Sequence, residues 1–391
     1  PLVIVLDDCQ WIDATSWSMI AEICEKVDAV SAILAFRPML DQGNSVLDLL
    51  AKKPATQIIQ LGELSQDEVA SLLSQSLGIE EVPRAVAVAV HEHSEGNAFY
   101  SQELGYSLLD AGVIKIEGNK CVVTEELDHF EFPATVEKVV DGRVDALIPE
   151  YQLTLRIASV IGRIFELQSL SHIHPIEADR GKLPDYLSSL ADLNFTPLHN
   201  PPPDQSNIFK HAIIHEVLYS QLLSSQRVSL HQLLAKWIER QHTAHLERYS
   251  ATLAHHWKSA ENPYKAMHYF RLASENALKE GAYAEAVHFL IETLACLAKS
   301  EQIIPLHQHS RLYRMLGEAH LGLGEFTLAK DELKKGLSIL GRPWPNRVTL
   351  ATLRETFKQF RFRYGLIRAV ADLELDLEES EIVEYLGHVF Y

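Results

Sequence analysis

The sequence is short of cysteine and of basic residues, and it contains no long apolar run. Its four cysteines are scattered, with no Cys-x-x-Cys pair and no metal-ligand spacing, which favours a reducing cytoplasmic environment over a disulfide framework. Lysine and arginine number 35 against 53 acidic residues, and the net charge of -18 argues against a large nucleic-acid or anionic-membrane surface. No apolar stretch reaches the roughly 20 residues that cross a bilayer. We therefore expect a cytoplasmic protein with no membrane span and no nucleic-acid partner.

The first position is not a methionine, so we take residue 1 as an interior point of a longer protein. The chain begins with a short apolar run that two acids follow and no basic residue precedes, which predicts a buried strand rather than a signal segment. Its 391 residues, 47% of them hydrophobic, are enough for about two to four domains with their own cores.

The first chemical signal is a pair of aspartates at the end of this opening strand. Val3–Leu6 is a continuous apolar run, as in a parallel strand covered on both faces, and Asp7 and Asp8 follow it. Ligands of open α/β sheets lie beyond the carboxyl ends of the strands, where two carboxylates can hold Mg²⁺ or orient an attacking water. Alternatively, the pair only caps the next turn.

The residues around this pair resemble a known family. Leu6–Ser16 reads LDDCQWIDATS, which is similar to the Walker B strand and its extension in STAND ATPases. These carry an origin-recognition-like AAA ATPase module that occurs in soluble adenylate and guanylate cyclases, helical-repeat transcriptional regulators and kinase hybrids. The resemblance implies that Asp7 holds Mg²⁺, directly or through water, and that Asp8 is the catalytic residue that polarises the attacking water.

Two further buried strands are predicted, at Ser31–Phe36 and Gln57–Leu61. The first of them ends at Arg37, before a proline, so this arginine faces the ligand edge of the sheet and can contact a γ-phosphate. The family has a sensor arginine at this position, and the resemblance assigns Arg37 to nucleotide binding. The alternative is a surface arginine before a loop.

A helical lid is predicted next, beginning at the capping box Ser65–Glu68. Near its end, Glu95–Leu104 is similar to the family's G-N-P-F-F-x-x-E-L element, and the resemblance assigns Gly96 and Asn97 to the nucleotide site. The family's proline, which packs near the base, is Ala98 here, so the adenine contact is in doubt. A plain helix N-terminus with a Gly-Asn turn explains the same residues.

The phosphate-binding loop of this family is absent from the sequence. No Gly-x-x-x-x-Gly-Lys-Ser/Thr occurs in the 391 residues, although this loop supplies the backbone amides and the lysine that hold the β- and γ-phosphates. Its normal place precedes the Walker B strand. We therefore expect ATP or ADP and Mg²⁺ as cofactors of the complete parent protein, and poor ATP binding and no ATP hydrolysis by this chain alone.

A winged-helix-like domain is predicted after the lid. Helical stretches at 134–147, 150–161 and 182–193 precede two extended pieces at 195–198 and 207–209, which a proline-rich segment joins. Winged helices often bind DNA, but residues 134–240 carry 10 basic and 12 acidic residues, a net charge of -2, and no basic helix. The sequence therefore favours an interdomain role.

One histidine in this domain is a candidate nucleotide ligand. Phe209–Tyr219 resembles the family's F-x-H-x-x-I/L-x-E-x-x-Y, and in related proteins a winged-helix histidine reaches the β-phosphate of ADP and locks the closed state. The resemblance assigns this role to His211. A histidine packed at a helix start is the alternative and explains the pattern more simply.

The C-terminal half predicts helical hairpins of the tetratricopeptide type. Small and bulky residues alternate at hairpin spacing around Ala254, Trp257, Ala266 and Phe270, and again from Gly317 onward. The spacing of the alanines is irregular, so we expect hairpins of unequal helix lengths. Such scaffolds bind protein segments on one face.

These observations predict an α/β remnant of a P-loop NTPase sheet followed by a mainly α chain. The predicted parts are the C-terminal part of the ATPase core at 1–62, the lid at 63–130, the winged-helix-like domain at 131–245, repeats at 246–345, and further helices with an acidic end at 346–391. Two functions fit. One is a nucleotide-dependent switch coupled to a protein-sensing scaffold within a larger signalling protein. A class III nucleotide cyclase is one candidate for that protein, and self-association that depends on nucleotide is left open. The other is a non-enzymatic protein-binding scaffold that carries a degenerate ATPase remnant.

Overall fold

The computed structural model describes residues 2–7, 9, 12, 14–27, 29–37, 49–124, 127, 130–202, 204–300 and 304–341. This part of the chain is mainly helical, with three small sheets. It divides into two compact units, one comprising residues 59–241 and the other the described residues on either side. None of the helices in the described ranges is long and apolar enough to span a membrane.

The N-terminal residues form a two-stranded parallel sheet and one helix. The elements are β1 (Leu2–Leu6), α1 (Ala14–Lys26) and β2 (Val30–Leu34). Helix α1 packs against β2 and buries Trp17, whose ring meets Phe36 edge to face at 6.5 Å. The strands nevertheless keep apolar side chains in solvent: Val5 is 65% and Ile33 57% exposed. This sheet therefore exposes surface that parallel sheets normally cover on both faces.

The predicted third strand at Gln57–Leu61 does not form. Residues 57–61 have no sheet partner in the structure, and Ile59 and Leu61 are 72% and 90% exposed. An apolar run becomes a strand only when a neighbouring strand pairs with its backbone N–H and C=O groups. No described residue does so here, and the sequence prediction was wrong.

The first part of the 59–241 unit is a small helical cluster with one hairpin. Its elements are α2 (Gln66–Leu77), α3 (Arg84–Ser94), α4 (Ala98–Asp110), β3 (Ile114–Glu117) and β4 (Lys120–Val123). The predicted capping box is confirmed, since the Ser65 amide donates to the Glu68 carboxylate at 2.8 Å and the Glu68 amide to the Ser65 hydroxyl at 3.4 Å. A common core, which includes Val69, Leu73 and Leu104, joins the three helices.

The second part of this unit combines helices with a three-stranded antiparallel sheet. Its elements are α5 (Val136–Asp145), α6 (Pro149–Ile161), β5 (Ile164–Glu166), α7 (Leu167–Ile173), α8 (Glu177–Arg180), α9 (Leu183–Asp192), β6 (Leu198–Asn200), β7 (Ser206–Ile208), α10 (Ala212–Gln221) and α11 (Ser224–Gln241). The strand order is β5-β7-β6. The predicted helices appear as α5, α6 and α9, while β5, α7 and α8 escaped the sequence analysis.

The C-terminal helices pack in sequence, each against the next. They are α12 (Ser250–Ser259), α13 (Pro263–Glu280), α14 (Tyr283–Lys299), α15 (Leu306–Gly322) and α16 (Phe326–Ile339), after a 3₁₀ turn at Leu246–Tyr249. Small residues allow the close approach: a Cβ added to Gly317 would lie 2.5 Å from Cγ of Leu333. The predicted hairpins of unequal helix lengths are therefore confirmed, whereas the predicted helices from 346 onward lie outside the described residues.

Candidate functional site

Asp7 and Arg37 lie at the same edge of the N-terminal sheet. The parallel ladder continues beyond the strands, because Ala35 N–H donates to the Leu6 carbonyl at 2.9 Å and Cys9 N–H to the Ala35 carbonyl at 2.9 Å. Both site residues follow the carboxyl ends of paired strands, and both are exposed. Asp8, the predicted catalytic residue, lies outside the described residues.

The Mg²⁺ assignment rests on Asp7 alone among the described residues. Magnesium takes several oxygen ligands, of which proteins usually supply one or two carboxylates. The described ranges contain no group of three His, Cys, Asp or Glu side chains that could hold a metal ion. The described residues therefore do not form a complete metal site, and we derive no step through a metal.

Gly96 forms the tight turn between α3 and α4, where only a glycine fits. Its φ is +74°, and a Cβ on this residue would lie 2.4 Å from the carbonyl oxygen of Leu64. The Gly96 carbonyl accepts the Leu64 amide at 2.8 Å, so the turn is joined to the segment before α2. Backbone conformation alone thus explains this glycine, as the sequence alternative proposed.

Asn97 is the N-cap of α4. Its Oδ1 accepts the Tyr100 amide at 3.0 Å, and its carbonyl accepts the Ser101 amide and hydroxyl, both at 2.8 Å. The amides of Ala98 and Phe99 have no acceptor among the described residues. Two donors at the positive end of a 13-residue helix are thus available to an anion.

A cavity of about 940 Å³ opens at this helix N-terminus. Its wall consists of residues 61–63, 93–100 and Ala134. The wall is fixed at two points: the His93 ring stacks on Phe132 at 4.0 Å, and the Tyr100 hydroxyl donates to the Pro133 carbonyl. Its volume lies in the range of about 300–1,000 Å³ of small-molecule sites.

His211 lies directly behind the cavity wall. It is the N-cap residue of α10, and its ring centroid is 4.3 Å from that of Phe99, which lines the cavity. The structure therefore brings His211 together with the Gly96-Asn97 turn, although His211 itself does not line the cavity. Asp7 and Arg37 belong to the other compact unit.

The environment of His211 keeps its imidazole neutral. Burial first, and then the neighbouring charges of Lys210, Arg163 and Arg143, lower its pKa to about 4. A neutral imidazole has one donor and one acceptor nitrogen. Its Nε2 is buried and has no hydrogen-bond partner in the described structure. The residue can therefore form a hydrogen bond but cannot supply a positive charge near pH 7.

Sequence reasoning missed a buried ion cluster around Arg143. Its Nη1 donates to Glu103 at 2.6 Å, its Nε to Asp110 at 3.3 Å and its Nη2 to the Leu193 carbonyl at 2.9 Å. The guanidinium also lies over the rings of Tyr106 and Phe195, at 4.7 and 4.6 Å. A charged residue inside the apolar α5 face was the available signal. The cluster ties α4 to α5 and to the segment after α9.

Comparison with known proteins gives remote similarities. No protein-family model matches the chain. Adenylate cyclase type 10 of Mus musculus is 20% identical over 212 aligned residues, and that of Rattus norvegicus is 19% identical. The alignments cover 44% of this chain and only 13% of the length of either cyclase. A STAND protein with a tetratricopeptide repeat sensor from Pyrococcus horikoshii aligns with 98% of this chain and 56% of its own, at 13% identity and a TM-score of 0.42.

Proposed function

We propose that this chain is the regulatory part of a larger signalling protein, in which nucleotide binding is coupled to a protein-binding helical scaffold. The observation that carries the proposal is the cavity at the N-terminus of α4. It combines a fixed Gly-Asn turn, two available backbone donors and a volume suited to a nucleotide. The ligand would be ADP or ATP, with its phosphates toward the Ala98 and Phe99 amides.

His211 would act through the cavity wall. Its ring supports Phe99, so a ligand that displaces Phe99 also releases the histidine. The uncommitted Nε2 then becomes available for a hydrogen bond. We propose that this contact links the cavity to helix α10, and through α10 to the second half of the 59–241 unit. A winged-helix role for that half is part of the proposal.

The remaining predicted site residues belong to the N-terminal unit. Asp7, Asp8 and Arg37 would serve Mg²⁺, the attacking water and the γ-phosphate in the parent protein. The similarity to adenylate cyclase type 10 supports a signalling role, with a nucleotide cyclase as one candidate effector. The packed hairpins α12–α16 would bind the protein partner that sets the switch.

A second function is a scaffold that has lost nucleotide binding. It is favoured by the structural explanation of Gly96 and Asn97, which need no ligand to account for them. Ala98 in place of the family's proline points the same way. In this case only the helical hairpins would bind a partner.

Titration of the 391-residue chain with a fluorescent ADP separates the two functions. The key variant is Ala98→Glu, because a carboxylate on this exposed first-turn residue suits the helix dipole but repels phosphate in the cavity. Ala85→Glu in the first turn of α3 is the matched control, exposed and outside the cavity. We expect Ala98→Glu to weaken binding at least tenfold, about 1.4 kcal/mol, and Ala85→Glu to leave it unchanged.

Three outcomes would go against the proposal. If the unmodified chain binds neither ADP nor ATP at millimolar concentration, the scaffold function stands. If both glutamate variants weaken binding alike, the nucleotide lies elsewhere. If binding is strong and Mg²⁺-dependent but Asp7→Ala does not weaken it, the Walker B assignment is wrong.

A further inference from the structure

A second cavity lies in the 59–241 unit, away from the α4 turn. Its volume is about 490 Å³, and it shares no lining residue with the first cavity. Helices α7, α8 and α9 and the C-terminal end of α11 surround it. Its polar and aromatic lining residues are Gln168, Ser171, His172, Arg180, Trp237 and Gln241.

One wall of this cavity is aromatic and rigid. Trp237 is only 8% exposed, so its indole is held by the core of the unit while one part still borders the cavity. The His172 ring is inclined by 32° to the indole at a centroid distance of 5.9 Å. A flat apolar group can pack on such a wall without ordering a flexible side chain.

In contrast to the aromatic wall, Arg180 gives the cavity a positively charged group in a fixed orientation. Arg180 donates from Nε and Nη2 to the His174 carbonyl, at 3.1 and 3.0 Å, which holds the group in one orientation. No described residue accepts a hydrogen bond from its Nη1. Arg180 and Arg240 both lower the pKa of His172, after the larger effect of burial, so two positive charges lie near this ring.

The lining of the cavity contains basic but no acidic side chains among the described residues. The whole chain, in contrast, carries a net charge of -18. The nearby Asp179 is already engaged, by the Lys182 ammonium at 3.3 Å and the Tyr186 hydroxyl at 3.3 Å. The amides of Gln168 and Gln241 add donors and acceptors around the basic group.

We propose that this cavity binds a small organic anion with a planar ring, such as an aryl carboxylate or an aryl phosphate. The ring packs on Trp237 and the anionic group meets Arg180. A neutral apolar ligand would cover the guanidinium without pairing it, which is unfavourable. An inorganic anion would leave the aromatic wall unused. The same chemistry occurs in free metabolites and in a phosphotyrosine side chain, and the test distinguishes these sources.

The test uses the whole chain labelled with 5-fluorotryptophan. Among the five tryptophans, the resonance of Trp237 is assigned by its loss in Trp237→Phe. Benzoate and phenyl phosphate are the anionic probes, benzamide and inorganic phosphate lack the charge or the ring, and a short phosphotyrosine peptide represents the protein-borne source. We expect saturable shifts of the Trp237 resonance with the two aryl anions only, or with these and the peptide.

Two variants test the basic group. Arg180→Gln removes the charge, and we expect the affinity for benzoate to fall about tenfold. Lys236→Gln is the matched control, since Lys236 is exposed, next to Trp237 in the chain and outside the cavity. Gln241→Glu adds a repelling charge without altering Arg180, so it tests the site even if Arg180→Gln disturbs the fold.

The proposal is overturned by any of three results. Benzamide could bind as tightly as benzoate, which would remove the role of the charge. Arg180→Gln and Gln241→Glu could both leave the affinity unchanged, or change it no more than Lys236→Gln does. No probe could shift the Trp237 resonance at millimolar concentration, in which case the cavity binds no such ligand.

Discussion

The two ends of helix α4 differ in how many of the polar groups around them have hydrogen-bond partners. At the C-terminal end, every guanidinium nitrogen of Arg143 donates a hydrogen bond, and two aromatic rings cover the group. At the N-terminal end, a glycine with a positive φ and two unaccepted amides lie at a cavity, and the unpartnered Nε2 of His211 lies behind its wall.

This difference separates a stabilising region from a binding region on one helix. The buried pair of Arg143 and Glu103 fixes the relative positions of α4 and α5 and leaves the guanidinium little to gain from a ligand, although Oε1 of Glu103 has no hydrogen-bond partner. Backbone amides without an acceptor favour ligand binding instead, because a ligand can supply the hydrogen-bond acceptor that the protein does not. We therefore expect substitutions at the C-terminal end to change stability, and substitutions at the N-terminal end to change binding as well.

The largest effect is expected for Arg143→Met. The substitution leaves the Glu103 carboxylate, 1% exposed, buried without its partner. Removing one member of a buried ion pair costs about 3–5 kcal/mol, and urea unfolding monitored by circular dichroism measures the loss. Arg143→Met combined with Glu103→Met should be less destabilised than the single variant. Equal stability of Arg143→Met and the unmodified chain would mean that the cluster contributes nothing.

Gly96→Ala should have the next largest effect, about 2–3 kcal/mol. It combines a positive φ with the 2.4 Å approach of a new Cβ to the Leu64 carbonyl. Gly112→Ala is the matched control, because Gly112 has φ +75° and nothing within 4 Å of the added Cβ. It should lose only about 1 kcal/mol in the same unfolding experiment. If both variants lose the same free energy of unfolding, the close approach to the Leu64 carbonyl is not the reason that position 96 requires glycine.

The pH dependence of stability should identify His211 as a half-buried neutral group. Its folded-state pKa of about 4 lies below the ordinary value of 6.5, so the unfolded chain binds more protons between these values. Stability is therefore complete above about pH 6.5 and falls as the pH decreases toward 4. Allowing for partial exposure, we expect the chain to lose about 1 kcal/mol more than His211→Gln between pH 7 and pH 5.

Unfolding at the two pH values measures this difference directly. His199→Gln, on the exposed β6 strand, is the control and should follow the unmodified chain. A His211→Gln variant with the same pH dependence as the unmodified chain would contradict the neutral, buried histidine.

The smallest effects are expected for phenylalanine substitutions of the two tyrosines of α4. The Tyr100 hydroxyl donates to the Pro133 carbonyl and the Tyr106 hydroxyl to the Ser76 carbonyl, so each phenylalanine variant loses one hydrogen bond, about 1 kcal/mol. Only Tyr100 lines the cavity. Tyr100→Phe should therefore also alter the affinity for fluorescent ADP. A similar change in Tyr106→Phe would erase the proposed distinction between the two ends.

The local features of the fold could be predicted well from the sequence. The capping box before α2 and the buried small residues of the hairpins both follow from chemistry within a few residues. The strand at 57–61 could not be judged in this way. Its apolar pattern is real, but pairing depends on a distant segment, and no described residue provides one.

The candidate site was predicted in part. The resemblance singled out Gly96, Asn97 and His211, and the structure places them around one wall, with Phe99 between the turn and the histidine. Their roles in nucleotide binding stay predictions, as do those of Asp7, Asp8 and Arg37. Arg143 escaped notice because its partners lie 33 to 50 residues away along the chain.

The sequence by itself determined where helices begin, which faces carry small or bulky residues, and that the chain lacks a phosphate loop. Periodicity and capping act over a few residues, so a linear pattern contains them. Only the tertiary structure decided that His211 is neutral, that Arg143 is fully paired, and that Trp237 and Arg180 face one cavity. Burial and electrostatic environment depend on neighbours from distant parts of the chain, which no local pattern specifies.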